Sequence, residues 1–260
     1  MSRGDWKDTD KAMAEFKTHL TVSSFVSSAS ATLVFAAGLA SPQEVMLYFV
    51  MGVVGGLLPD IDSDASLTVR LLFTFIATVL SFLIMFRQEA GNSALELYLI
   101  WLGSFFVMNY LFFSLFTRIT VHRGIIHSVP AAGLFGLLTL LILYHCFNFS
   151  LAVVWMAGAF VAGGFLLHLA LDELVSLNLA GKAARRSAGT AFKFGSPRDI
   201  KSTAAMYLVL VLLAMAAPDH GPFFRTFLDP ARYESLDLVP RHAWFQDQIQ
   251  RYVLKWRTRD

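Results

Sequence analysis

The stretch that decides the fold class of this chain is "LAVVWMAGAFVAGGFLLHLALDELVS", residues 151–176. From Leu151 to Leu167 it holds only apolar residues and glycine. A helix needs about 20 apolar residues to cross a hydrocarbon core that is roughly 30 Å thick. The stretch therefore predicts a transmembrane helix that carries ionisable residues near its end.

The rest of the chain repeats this apolar pattern. Of its 260 residues, 56% are hydrophobic and only 15% are charged, against roughly 25% charged residues in a soluble domain. Six further runs have lengths near that of a membrane span: 20–40, 43–58, 67–86, 95–116, 125–146 and 203–218. We therefore predict an all-α polytopic integral membrane bundle of six to seven spans. The run at 203–218 is also short enough for a re-entrant or interfacial piece.

Composition excludes several other classes of protein. A formal net charge of +2 provides no field for nucleic acid, so we expect no nucleic-acid partner. The single cysteine, Cys146, excludes an internal disulfide and a thiolate metal cluster. The start "MSRGDWKDTDKAMAEFK" has no apolar core, so we expect no removable signal peptide.

The distribution of Lys and Arg predicts orientation. The N-terminal flank and the segments 117–124 and 176–202 are rich in Lys and Arg, whereas 41–44 and 147–150 contain none. The N-terminus is therefore predicted to be cytoplasmic. The chain divides into an N-terminal segment 1–17, a membrane-embedded domain 18–218 and a C-terminal tail 219–260.

The tail has the pattern of a short amphipathic helix that lies on a membrane surface. Its apolar residues recur at helical spacing, with Arg and Lys between them: Phe245, Ile249, Tyr252, Val253 and Trp256. Anionic lipid would favour the tail at the cytoplasmic leaflet, whereas seven complete crossings would place it outside. The side of the tail stays open at this point.

Histidines and carboxylates fall at the ends of the predicted spans. They stand at the start of spans 1 and 5 and after or near the end of spans 2 and 6: His19, His122, His127, Asp60, Asp62, His168 and Asp172. The starts of odd spans and the ends of even spans lie on the same side of a membrane. We therefore expect these side chains to meet at the cytoplasmic face.

His168 and Asp172 are four residues apart and so share one helix face. An ionisable pair inside an apolar run is costly, and it marks a functional site by default. A buried His–Asp hydrogen bond is the structural alternative. Glu173 is rotated by about 100° from Asp172, and it either serves a second metal or points to solvent.

His122 and His127 cannot share a face of one ideal helix, because five residues turn about 140° past a full circle. Gly124 permits a bend, which would let the two imidazoles converge from a loop and from the first turn of the next span. Ser128 either orients a ligand or water, or caps that helix.

A donor set of nitrogen and oxygen atoms suits zinc, manganese or iron better than copper(I), and so many imidazoles argue against calcium. Six or seven donors exceed the four ligands of one tetrahedral zinc ion, which favours two divalent ions over one.

Three motifs carry a family resemblance: "LLPDIDS" at 57–63, "HRGIIHS" at 122–128 and "HLALDELVS" at 168–176. Together with His19 and in this order, they resemble the YdjM-like family of membrane-bound, metal-dependent hydrolases over roughly 18–200. The resemblance implies a metal-dependent hydrolase of the bacterial inner membrane. Ser63 stands where the family often has histidine, and Ile126 stands where it commonly has threonine.

The expected function is hydrolysis at the cytoplasmic headgroup level, with a phospholipid or a lipid-linked phosphoester as substrate. Zinc or manganese ions would be held by the histidines and carboxylates above, with Asp62 and Ser128 as further catalytic residues. Arg123 would neutralise a phosphate oxyanion, since a guanidinium suits that bidentate geometry. The basic loop 182–201 would attract anionic lipid.

Three other functions are compatible with the same residues. A metal-ion or solute transporter would use them as a transient site, but it would also need polar residues deeper in the bundle, where only Asn109 and His145 are candidates. A lipid amide hydrolase of the ceramidase kind also gathers His and Asp at one face. In a structural membrane protein, the metal would only hold helices together. No oligomeric state follows from the sequence.

Overall fold

The computed structural model describes residues 3–62, 67–88, 92–112, 127–178, 192–196, 199–234, 236 and 249–250. Over these residues every regular element is helical, so the predicted all-α class is confirmed. The α-helices are α1 Arg3–Ala36, α2 Pro42–Leu57, α3 Leu67–Phe86, α4 Ala94–Phe106, α5 Val129–Phe147, α6 Leu151–Asn178, α7 Ile200–Ala216 and α8 Gly221–Phe227. Helix α2 continues as a 3-10 turn over Leu58–Asp62, and α4 continues as a π-helix over Val107–Phe112.

Local sequence explains where the helices begin and end. Ser41 and Glu44 form a capping box at the start of α2, with Pro42 in the first turn, where its missing N–H costs no intrahelical bond. After α1, Gly38 takes a φ of +68°, the left-handed conformation that glycine adopts without steric cost. At the end of α5 the same region is occupied by Asn148, with a φ of 52°.

The helices α1, α2, α5 and α6 form the core bundle, in which α2 packs between α1 and α6 and α5 lies on another side of α6. Glycines let these backbones touch, as small residues do in membrane helix pairs. A Cβ placed on Gly55 would collide with the carbonyl of Val161, and one on Gly164 would collide with the carbonyl of Gly52. The backbones of α2 and α6 are therefore in direct contact in the core.

The described part of the chain confirms some of the predicted membrane spans. Within the described residues, 4 helices are long and apolar enough to cross: Phe16–Ala36, Pro42–Asp60, Val129–Phe147 and Leu151–Leu174. A fifth results if α7 and α8, which are bent by 86° at their junction, count as one span. Such a bend occurs in a broken span and in a re-entrant loop, so both alternatives for the run 203–218 stay predictions. Six to seven spans stay a prediction that depends on α3 and α4, whose described apolar parts, Ala77–Phe86 and Ala94–Tyr110, are shorter.

Predicted boundaries move by a few residues. The first span was expected over 20–40, but α1 ends at Ala36 and its apolar part begins at Phe16, because the turn at Gly38 stops the helix. The fifth span was expected to include His127 in its first turn, whereas α5 begins at Val129. Most of the predicted amphipathic tail and residues 182–191 of the basic loop lie outside the described part of the chain.

Candidate metal centre

Four helices bring histidines and carboxylates to one end of the core bundle, as the sequence predicts. His19 comes from α1, Asp60 from the 3-10 turn after α2, and His127 from the residues just before α5. His168 and Asp172 come from the last turns of α6. Donor atoms of His19, His168 and Asp172 lie within 4.8 Å of one another, and so do those of Asp60, His127 and His168.

Asp172 lies at the middle of this His/Asp cluster. Its Oδ1 is 3.3 Å from Nε2 of His19, and its Oδ2 is 3.4 Å from Nε2 of His168 and 3.9 Å from Nε2 of His127. One carboxylate therefore faces three imidazoles that arrive from three different helices or their flanks. The i, i+4 spacing places it beside His168 on α6, and α1 and the start of α5 supply the other two rings.

His168 is the most buried member of the cluster, with no exposed surface. Its Nδ1 lies 2.7 Å from the carbonyl oxygen of Gly56, which can only accept a hydrogen bond, so Nδ1 donates. The proton on Nδ1 leaves the Nε2 of a neutral ring with a lone pair. A hydrogen bond from the other ring nitrogen to a carbonyl is the usual way in which proteins orient a metal-binding histidine.

Nε2 of His168 points at acceptors. It lies 3.5 Å from Oδ1 of Asp60 and 3.4 Å from Oδ2 of Asp172. Among the described residues this buried nitrogen has no hydrogen-bond partner. A lone pair that faces two carboxylate oxygens is unfavourable unless a cation or a proton lies between them.

The rings of His19 and His168 stack with centroids 3.9 Å apart and an interplanar angle of 19°. Two imidazolium rings at this separation would repel each other, whereas a divalent ion can accept a lone pair from each neutral ring. Nδ1 of His19 is also buried without a hydrogen-bond partner in the described part of the chain. A proton shared by His168 and Asp172 would satisfy that pair alone, as the predicted His–Asp hydrogen bond, whereas a divalent ion would satisfy the carboxylates and both stacked rings together.

The spacing of the donors fits that interpretation. With metal–ligand bonds near 2.1 Å, tetrahedral angles separate neighbouring ligand atoms by about 3.4 Å. The closest carboxylate–imidazole distances here are 3.3, 3.4 and 3.5 Å. Because the two donor groups share His168, which offers only one free nitrogen, a second ion would also need Asp172 as a bridge or further ligands.

Several predicted site residues are not placed by the structure. His122 and Arg123 lie outside the described residues. The backbone of Asp62 ends the 3-10 turn, but its side chain is not described. Glu173 follows Asp172 on α6 without belonging to either donor group among the described residues. Their metal-binding and catalytic roles stay predictions.

Ser128 occupies the N-cap position of α5, although its side chain makes no capping hydrogen bond there. Its hydroxyl is fully buried and lies 3.7 Å from the sulfur of Met206 on α7. The cap alternative is thus confirmed for the position of this residue but not for its hydroxyl, and the catalytic role stays a prediction.

Two residues of the site have no clear signal in the sequence. Gly56 supplies the carbonyl that orients His168, and a Cβ on Gly56 would collide with the hydroxyl of Ser23 on α1. Ser23 is fully buried, and its hydroxyl has no partner among the described residues. The only hint was spacing, since Ser23 lies one helical turn after His19 and on the same face.

A bundle of apolar helices with a buried His/Asp cluster at one end defines a membrane protein with transmembrane helices and a candidate metal centre. The family model described as YdjM inner membrane protein matches residues 13–218. The chain belongs to this family, which confirms the family resemblance carried by the three motifs and the inner-membrane location, while the metal-dependent hydrolase activity stays a prediction. No curated protein and no solved structure matches the chain.

Proposed function

We propose that this protein is a membrane-embedded, metal-dependent hydrolase that acts at the cytoplasmic headgroup level on a phospholipid or a lipid-linked phosphoester. The observation that carries the proposal is the environment of His168. Its buried Nε2 lacks a hydrogen-bond partner among the described residues and faces oxygens of Asp60 and Asp172. This environment supports a bound divalent ion, zinc or manganese by donor type.

The chain's own residues would hold the ion and orient one another. His19, His168 and Asp172 form one set of ligands, and Asp60 and His127 extend it. When bound, such an ion lowers the pKa of a coordinated water toward about 7 and polarises a phosphoryl oxygen. The carbonyl of Gly56 fixes the ring of His168.

The cluster is closed on one side and accessible on the other. The side chain of His168 has no exposed surface, whereas those of His127 and Asp172 are 34% and 36% exposed. Structural zinc sites are closed by protein ligands, but catalytic sites keep a position open for water or substrate. The accessible side supports a catalytic role over a metal that only holds helices together.

The transporter alternative finds less support. Of its two candidate polar residues, Asn109 belongs to the α3/α4 pair, where its side chain lies 3.5 Å from the hydroxyl of Thr74. His145 is in the last turn of α5, at the opposite end from the cluster. In the described residues these two groups do not continue from the cluster into a polar path.

The test combines metal analysis with a lipid hydrolysis screen. We expect the detergent-purified full chain to contain zinc or manganese and to release phosphate-containing products from a bacterial lipid extract. Asp172→Asn should lose both metal and hydrolysis, and His145→Gln, changed at the opposite end of α5, should lose neither. Hydrolysis that survives complete removal of the metal would overturn the proposal, and so would a full metal content without hydrolysis of any lipid fraction.

A further inference from the structure

A groove of about 300 Å³ runs between α1 and α6. Its wall on α6 extends from Met156 to Leu167, and its wall on α1 extends from Val26 to Val34. Since α1 leads away from the His/Asp cluster and α6 leads toward it, Val26 and Leu167 mark the end near the cluster. Leu167 directly precedes His168, whereas Val26 lies about 10 Å beyond His19 along α1, so the α1/α6 groove begins one to two helical turns below the candidate metal centre.

The length of the α1/α6 groove matches one leaflet of a bilayer. From Met156 to Leu167 a helix rises by about 16 Å. Half of a hydrocarbon core is about 15 Å deep. A groove that starts just below the cluster therefore ends near the middle of the bilayer, and Phe227 of α8 also lines it.

Small residues make the α6 side of the groove hollow. Ala159 and Gly163 both line it, and their spacing of four residues places them on one helix face. No described heavy atom comes within 4 Å of a Cβ built on Gly163, whereas Gly164 beside it is pressed against the backbone of α2. The hollow at Gly163 is thus open space and not a helix contact.

We propose that the α1/α6 groove holds one acyl chain of the lipid whose phosphoester headgroup lies at the His/Asp cluster. The inference rests on the proposed hydrolase function and specifies its substrate class. The substrate enters sideways from the leaflet next to the cluster, and its chain is bound along α6. A mostly apolar lining, a length of one leaflet and an end at Leu167, next to His168, are the properties that such a chain requires.

Photo-crosslinking tests the α1/α6 groove without requiring turnover. The full chain is reconstituted in phosphatidylcholine vesicles that contain phosphatidylglycerol with a diazirine at the end of one acyl chain. We expect adducts at Ser30 and Met156 in the groove and also at Phe25, which is 75% exposed on α1 and reports ordinary surrounding lipid.

Gly163→Leu fills the hollow without removing a contact. We expect it to lower the adducts at Ser30 and Met156 by about tenfold, the effect of losing burial of roughly two methylene groups, and to leave those at Phe25 unchanged. Gly103→Leu is the matched control, because a Cβ on Gly103 of α4 also meets no described atom within 4 Å. Leucine is a better helix former than glycine at both sites.

A second variant measures depth along the groove. Gly163 and Ala159 lie about 7 Å and 13 Å from His168 along α6. Gly163→Leu should therefore exclude medium and long chains of the probe, whereas Ala159→Leu should exclude only long ones.

Groove adducts that are unchanged in Gly163→Leu, or lost equally in Gly103→Leu, would overturn the acyl-chain site. Because cross-linking records binding alone, groove-specific adducts on a protein that hydrolyses no lipid would overturn only the hydrolase function. Hydrolysis with adducts that do not depend on the groove would overturn only the acyl-chain site.

Discussion

The core bundle and the α3/α4 pair are both apolar, but they are built from different contacts. In the core bundle, backbones meet at glycines, and a Cβ on Gly136 or Gly158 would lie 2.8 Å from the carbonyl of the other. In the α3/α4 pair, aromatic rings make the contacts. For example, the ring centroids of Phe82 and Trp101 are 5.5 Å apart. No residue of α4 is buried, and every donor atom of the two described donor groups belongs to the core bundle and its flanks.

The difference shows how the scaffold positions the His/Asp cluster. Two helices whose backbones touch cannot slide past each other without collision. The glycine contacts therefore fix the position of Gly56 along the bundle axis relative to His168. Ring contacts between flexible side chains tolerate small shifts and suit a surface that faces lipid. We infer that close backbone packing, and not apolar burial alone, positions the cluster.

The largest effect is expected from the same substitution in the two regions. Gly164→Leu must push α6 away from Gly52 and Gly56 of α2, which we expect to cost about 3 kcal/mol or more of unfolding free energy, at the upper end for overpacking. Gly103→Leu in α4 should be neutral or stabilising by up to about 1 kcal/mol. Thermal unfolding in detergent, followed by tryptophan fluorescence, measures both, and equal midpoints would contradict the comparison.

A second prediction compares two histidines of the bundle. His168→Ala removes the ligand that we propose to be central, and we expect zinc or manganese affinity to fall by more than the roughly 10- to 100-fold that loss of an outer partner causes. His145→Ala, at the opposite end of α5 and exposed, should keep the affinity of the unchanged protein. Isothermal titration of the metal-free protein gives both values. Equal metal affinities of His168→Ala and His145→Ala would show that the metal does not bind at the His/Asp cluster.

Arg123 belongs to the segment that joins the two regions, and it separates catalysis from metal binding. A cation does not ligate a metal, so Arg123→Ala should keep metal and stability while the rate of phosphoester hydrolysis falls by about 10²- to 10³-fold, the scale of losing one oxyanion donor. Arg123→Lys should recover only part of the rate, because it keeps the charge but not the planar fork. Unchanged turnover in Arg123→Ala would show that this residue serves only to orient the protein in the membrane.

The site was more predictable than the span count. The i, i+4 spacing of His168 and Asp172 and the alternation of span ends were enough to predict that His19, Asp60 and His127 meet them. These signals are local residue types combined with topology, and both can be read from the sequence. The partner of His168 could not be predicted, because Gly56 acts through its carbonyl, which every residue has.

The number of spans depends on where each helix ends or bends. The length of an apolar run does not determine this. The run 95–116 is long enough for a span, and α4 with its π-helical continuation to Phe112 covers most of it. The run 203–218 is followed by an 86° bend before α8. A bend such as this depends on packing against neighbouring elements, which the composition of an apolar run does not describe.

The last prediction counts membrane crossings with two single cysteines, of which the one at Ser93 removes the N-cap of α4 at a cost of about 1 kcal/mol. In a Cys146→Ser background, a cysteine at Ser93 should react with an impermeant maleimide only from outside, and one at Ser63 only from the cytoplasm. That result would show that α3 crosses the membrane and would raise the count toward six or seven spans. Labelling of both positions from one side would leave four or five.

The central claim is that the His/Asp cluster of the core bundle holds a divalent ion. X-ray absorption at the edge of the metal found in the purified protein tests it most directly. We predict a first shell of nitrogen and oxygen atoms only, at about 2.0–2.2 Å if the metal is zinc, with the scattering pattern of imidazole rings that weakens in His168→Ala. A protein that binds no metal stoichiometrically, or one whose spectrum is the same in His168→Ala, would contradict the claim.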